Sequence, residues 1–129
     1  MPRSRTAFTL IELLVVIVII GILAAIAIPK FSNTKTKGYT AAMKADLRNL
    51  VAAEEAFFAD STYYIVYGDT AKLKFRPSVN VSTPAVVTGR GYWSATVTHS
   101  QMPSYSCGIG INTVNPVTTT AGEGEPVCR

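Results

Sequence analysis

The chain has 129 residues and a formal charge of +4, from 12 basic and 8 acidic side chains. That balance is too mild for a dedicated nucleic-acid binder, which would carry a strongly basic face; at most it leaves weak adhesion to DNA or anionic surfaces. The mean hydropathy of +0.26 misleads, because the apolar residues crowd at one end. Cys107 and Cys128 are the two cysteines, outside CxxC spacing, and His99 is the one histidine, so a zinc site is not expected. A single disulfide is the better reading of the pair, against two unpaired thiols, and it implies an oxidising compartment.

From Phe8 to Ile28 the chain reads FTLIELLVVIVIIGILAAIAI, with Thr9 and Glu12 as its polar side chains. As a helix this run is about 31 Å long, which matches the hydrocarbon thickness of a bilayer. The apolar region of a secretory signal is shorter, about 7 to 15 residues. A soluble core helix would show polar residues in every turn. The preceding MPRSRTA is short and polar, and small Ala7 directly abuts the apolar run. Arg3 and Arg5 favour a cytoplasmic N-terminus, while Lys30, Lys35, Lys37 and Lys44 pull the other way, so charge alone does not orient the span. The cysteine pair favours a C-terminal domain outside the cytoplasm. Glu12 is costly inside an apolar span. Either it lies hydrated or neutral near the headgroups, or it awaits a cationic partner from another subunit.

The string Ala7-Phe8-Thr9-Leu10-Ile11-Glu12-Leu13-Leu14-Val15-Val16, continued to Pro29, strongly resembles the class III signal of type IV pilins and the related pseudopilins. The resemblance covers roughly the first 60 residues, and the short leader is similar to the type IVa subgroup. It implies cleavage by a prepilin peptidase between Ala7 and Phe8 and N-methylation of Phe8. It also implies that Glu12 pairs with the new N-terminal amine of a neighbouring subunit, which supplies the partner a buried carboxylate requires. The family usually has Gly before the cut; this chain departs from that with Ala7, which is larger by a methyl group but still small.

Pro29 removes a backbone donor and Gly21 weakens the same stretch, so the helix should kink or loosen there. An ordinary tolerated kink would account for this; the resemblance implies that the stretch loses helicity when subunits pack. Beyond Pro29, Tyr39, Met43, Leu47, Leu50 and Phe57 recur on one helical face, a core stripe rather than a cofactor box. Lys35, Lys37, Lys44 and Arg48 read as a solvated face, or as contacts to neighbouring subunits or polyanions. Phe8 to about Asp60 then forms one helix of about 75 to 80 Å, whose first half needs a membrane or further copies of itself.

After Ser61 the composition shifts to Tyr, Val, Thr, Gly and Pro. Strands are expected at Tyr63–Tyr67, Val79–Ser82, Gly91–Thr98 and Tyr105–Ile111. In the third, Trp93, Ala95 and Val97 share one side. Turns are expected at Gly68-Asp69, Gly89-Arg90-Gly91 and Met102-Pro103-Ser104. The tail from Asn112 to Arg129 would be tied back to Cys107 by Cys128, which resembles the disulfide-bound surface loop of many pilins.

No catalytic constellation stands out, so neither an enzyme nor a cofactor is expected. His99 reads as structural or surface. Gly108-Ile109-Gly110 lacks the rest of a dinucleotide fingerprint and reads as a flexible strand end, and Glu54 and Glu55 point apart on a helix. The expectation is an α+β fold, a long N-terminal α-helix whose second half packs on a small antiparallel β-sheet of about four strands. Its parts are a leader at 1–7, a transmembrane and filament-core segment at 8–28, an amphipathic helix at 29–60 and a β-sheet domain at 61–129. The expected role is a structural subunit of a type IV pilus, a homo-oligomeric helical filament. Before assembly it would sit in the inner membrane as a single-pass chain, meeting the lipid bilayer, prepilin peptidase and the inner-membrane pilus assembly machinery. Afterwards it would be extracellular, with roles in adhesion, twitching motility or DNA uptake. Two other readings stand beside it: a pseudopilin of a type II secretion or competence system, and a membrane-anchored enzyme or binding protein.

Overall fold

The computed structural model describes residues 7–66 and 72–129. A long helix, α1, runs from Leu10 to Ser61, followed by strands β1 (Ala85–Gly89), β2 (Tyr92–His99), β3 (Met102–Ile111) and β4 (Val127–Cys128). The strands form one antiparallel sheet in the order β1-β2-β3-β4. The chain divides into two compact units, Met1–Lys37 and Gly38–Arg129. The expected α+β architecture with four strands is the one observed.

In the second unit the helix presents Met43, Leu47 and Leu50 to the core, each fully buried, with Phe57 partly buried beside them. These are members of the stripe expected from spacing. Tyr39, the remaining member, stacks on His99 with ring centroids 4.2 Å apart. The sheet answers with Trp93, Ala95, Val97, Cys107 and Ile109, all buried. Alternation along β2 places Trp93, Ala95 and Val97 on one face, because successive side chains of a strand point to opposite faces. The helix ends at Thr62, whose φ of +66° is left-handed and stops further helical propagation.

Two acidic residues also lie on the buried helix face. The Asp46 carboxylate accepts the Ser78 N–H and the Ser78 hydroxyl, both at 2.7 Å. Glu54 Oε2 accepts the Ile65 N–H at 3.1 Å. Each ties the connection between helix and sheet back onto the helix. Neighbouring Glu55 points away and takes the Tyr64 hydroxyl at 3.0 Å. Among the described residues, Glu54 Oε1 and Trp93 Nε1 are buried without a hydrogen-bond partner.

Several strand boundaries depart from expectation. Val79–Ser82 is not a strand: Val81 makes an isolated bridge to His99, and Asn80 at φ +66° breaks the extended run. No strand forms over Tyr63–Val66, where the backbone is committed to Glu54 instead of a neighbouring strand. Tyr67 and the Gly68-Asp69 turn lie outside the described residues. Met102-Pro103-Ser104 is the start of β3 rather than a turn. Pairing jumps there from Thr98↔Ser106 to His99↔Met102, and Pro103 sits in that irregularity, where its missing N–H costs no ladder bond. β1 and β4 were not expected as strands. The turn at Gly89-Arg90-Gly91 does close a hairpin, with Gly89 opposite Tyr92.

Gly108-Ile109-Gly110 is an interior part of β3 rather than a flexible end. A Cβ at Gly108 would lie 2.8 Å from Asn115 Oδ1, and one at Gly110 would lie 2.6 Å from the Thr113 carbonyl. The tail therefore lies against the strand at a distance only glycine allows. Asn115 secures it, donating to the carbonyls of Gly108 and Glu125 and accepting the Val117 N–H. Cys107 and Cys128 are opposite each other across β3 and β4 and are joined by a disulfide. Reciprocal backbone bonds between Ser106 and Arg129 extend that pairing.

Two measurements check these contributions, both by denaturant unfolding of the detergent-solubilised chain followed through Trp93 fluorescence. The disulfide closes a loop of 21 residues' separation, so Cys107→Ser/Cys128→Ser should lose about 3 kcal/mol. Burial pushes the Glu54 carboxyl above its ordinary value of 4.5, opposed by the Ile65 N–H and reinforced by Glu55. A raised folded value means the proton is held more tightly in the folded state. That stabilisation is complete below the unfolded value and is lost as pH rises through the folded one. Glu54→Gln should therefore gain on the wild type as pH rises from about 4 to 7; a pH-independent difference would contradict the assignment.

Candidate functional site: the N-terminal half of the helix

Among the described residues of the first unit, the large apolar side chains are exposed. Leu13, Val16, Ile19, Ile20, Leu23, Ile26 and Ile28 are all at least half exposed, on every side of the helix. The aliphatic run therefore has no inward face. A surface of this kind is stable only in lipid or against other apolar chains. The helix is long and apolar enough to cross a membrane.

The start of the helix is organised by Thr9 and Glu12. Glu12 Oε2 accepts the Thr9 N–H and the Thr9 hydroxyl, both at 2.8 Å. In return the Glu12 N–H donates to Thr9 Oγ1 at 3.3 Å. This reciprocal pair is a capping box, in which a hydroxyl residue and a carboxylate three positions later satisfy donors that the first turn leaves unpaired. In the sequence Thr9 is a polar exception in an apolar run, and the T-x-x-E spacing from Thr9 to Glu12 is the signal of its role. Glu12 thus has an intramolecular partner in the single chain. Its carboxylate is exposed, and its negative charge also suits the positive end of the helix dipole.

Ala7 and Phe8 precede the helix, and Phe8 is 87% exposed. α1 continues through both Gly21 and Pro29 in the single chain. Cys107 and Cys128, the other pair singled out from sequence, lie in the second unit and serve its tail. Among the described residues, no group of three or more His, Cys, Asp or Glu could hold a metal ion.

Residues 2–28 match the model of the prokaryotic N-terminal methylation motif. The chain is 34% identical over 110 residues to fimbrial protein Q of Moraxella bovis, an alignment covering 74% of this chain and 70% of that protein. It belongs to the type IV pilin family. It is also 46% identical over 63 residues to the type IV major pilin protein PilA of Myxococcus xanthus, covering 49% of this chain and 28% of that one. A third relative is the type II secretion system core protein G of Pseudomonas aeruginosa, 36% identical over 62 residues, covering 48% and 44% respectively. The chain has the pilin fold of one long helix and a four-stranded antiparallel sheet.

The capping box makes a local prediction. Thr9→Val keeps the shape but removes the hydroxyl, and a cap of this type is worth about 1 kcal/mol. Amide hydrogen exchange at Glu12 in detergent micelles should then accelerate about fivefold, while Thr9→Ser stays near wild type.

Proposed function

We propose that this chain is a structural subunit of a type IV pilus filament. It is inserted in the inner membrane through Phe8–Ile28 with its sheet domain outside the cytoplasm. A prepilin peptidase cuts between Ala7 and Phe8, and Phe8 is N-methylated. The subunit is then polymerised through its N-terminal helix by the inner-membrane assembly machinery. The observation that carries this reading is a helix whose first half is apolar on all sides with a lone carboxylate, Glu12, in its first turn. Lipid satisfies the side chains but not an ionised Glu12. A filament satisfies both, if the amine of a neighbouring Phe8 approaches Glu12 as helices pack. The carboxylate would then exchange its Thr9 bonds for an ion pair, or share itself between the two. Gly21 and Pro29 bracket the stretch where helicity is cheapest to lose, which fits a helix that loosens during packing.

The pseudopilin reading retains one specific observation, the likeness to the secretion-system core protein G over 62 residues. The likeness to fimbrial protein Q runs over 110 residues, beyond what an N-terminal helix alone could supply, and favours the pilus.

Mass spectrometry of filaments sheared from cells tests the proposal directly. A subunit beginning at methylated Phe8 is expected. Glu12→Ala should still be inserted and cut yet yield at least about tenfold fewer filaments, because removing one side of a buried pair strands the other charge. Filaments in normal number from that variant would refute the pairing.

A further inference from the structure

Lys35 folds back along the helix until its Nζ lies 5.0 Å from the centroid of the Phe31 ring. Together with Ala27, Ile28 and Ser32, these two residues line an open groove of about 510 Å³. Its floor is methyl and aromatic carbon, and its rim carries a cation and a hydroxyl. Ile28 and Phe31 are 68% and 64% exposed, so the apolar floor is uncovered.

The groove sits where the apolar run ends. Beyond Ile28, the backbones of Lys30 and Lys37 stand about 3 and 14 Å further along the axis, and a headgroup layer is about 5 to 8 Å thick. Drawn back to Phe31, the Lys35 ammonium falls at headgroup level. No Asp or Glu occurs from Leu13 to Ala45, so this stretch holds lysines and no acid of its own. A second copy laid alongside in register would bring the same charges and be repelled. The chemistry that fits is an acyl chain in the groove, carrying a headgroup of net negative charge.

We propose that Ala27, Ile28, Phe31 and Lys35, flanked by Lys30 and Lys37, form a binding site for an anionic phospholipid. The site rests on the reading above that Phe8–Ile28 spans a bilayer. It accounts for three lysines on the side of the span where the charge rule does not favour them: Lys30 and Lys35 hold headgroup phosphates and set the depth of the helix before assembly, and Lys37, beyond the headgroups, adds attraction within a Debye length. Phe31 keeps the Lys35 ammonium at that depth through its ring face.

The test uses the full chain reconstituted in phosphatidylcholine vesicles containing about one-fifth phosphatidylglycerol. Spin-labelled probes of each lipid report their relative association with the protein. The wild type should prefer phosphatidylglycerol about threefold or more at low salt, and the preference should vanish near 1 M salt. Lys30→Gln/Lys35→Gln/Lys37→Gln should associate equally with both lipids, while Trp93 fluorescence shows the sheet domain unchanged. Equal association by the inserted wild type overturns the lipid site alone; a chain that never enters the bilayer overturns the membrane reading with it. A triple variant that keeps the preference but fails to form filaments overturns the site in favour of an interface between copies.

Discussion

A single helix has to satisfy two different surroundings. Its first half exposes aliphatic side chains on every side and is stable only where water is excluded. Its second half shows Met43, Leu47 and Leu50 to a sheet and its charges to water, as an amphipathic helix in solution does. Both halves belong to α1, so whatever environment takes the first half also tethers the sheet domain. Membrane and filament are two solutions to the same excess of apolar surface, and this links anchorage to assembly.

The core of the sheet domain and the bonds that fasten it are made by residues of the second unit. Helical residues form one wall of its core, and Trp93, Val97 and Ile109 form the other. Around that core the chain between helix and sheet is fastened by carboxylates from the helix, Asp46 to Ser78 and Glu54 to Ile65. The tail is fastened by the disulfide and by Asn115 against two glycines. Segments poor in regular structure are thus held by a few specific polar bonds. Burying Glu54 exposes the fold to pH, since its proton is held more tightly when the core is closed.

Glu12 has a different position. In the single chain it completes a capping box with Thr9, so its carboxylate is held at the mouth of the helix. A charge presented there is both stabilised by the first-turn donors and accessible to an incoming cation. The same residue type performs opposite tasks forty-two positions apart: Glu54 is sealed inside and Glu12 is held outside.

The apolar run, its lone carboxylate and the change of periodicity after Pro29 were all legible in the sequence, because local spacing alone generates them. So was β2, whose strict alternation of Trp93, Ala95 and Val97 needs no partner to be recognised. The cysteine pairing was legible because only two cysteines exist. What the sequence could not convey were features created by contact between distant segments. Nothing local in the sequence marks Asp46 or Glu54 for burial; Ser78 and Ile65, distant along the chain, come to meet them. Pro103 reads as a turn until the register shift beside His99 makes its missing N–H harmless. Gly108 and Gly110 read as flexibility until the tail lies against them. Periodicity along the chain determined which surfaces are apolar, whereas only the tertiary structure decided which buried polar groups pair, since hydrogen bonds depend on positions that sequence distance does not set.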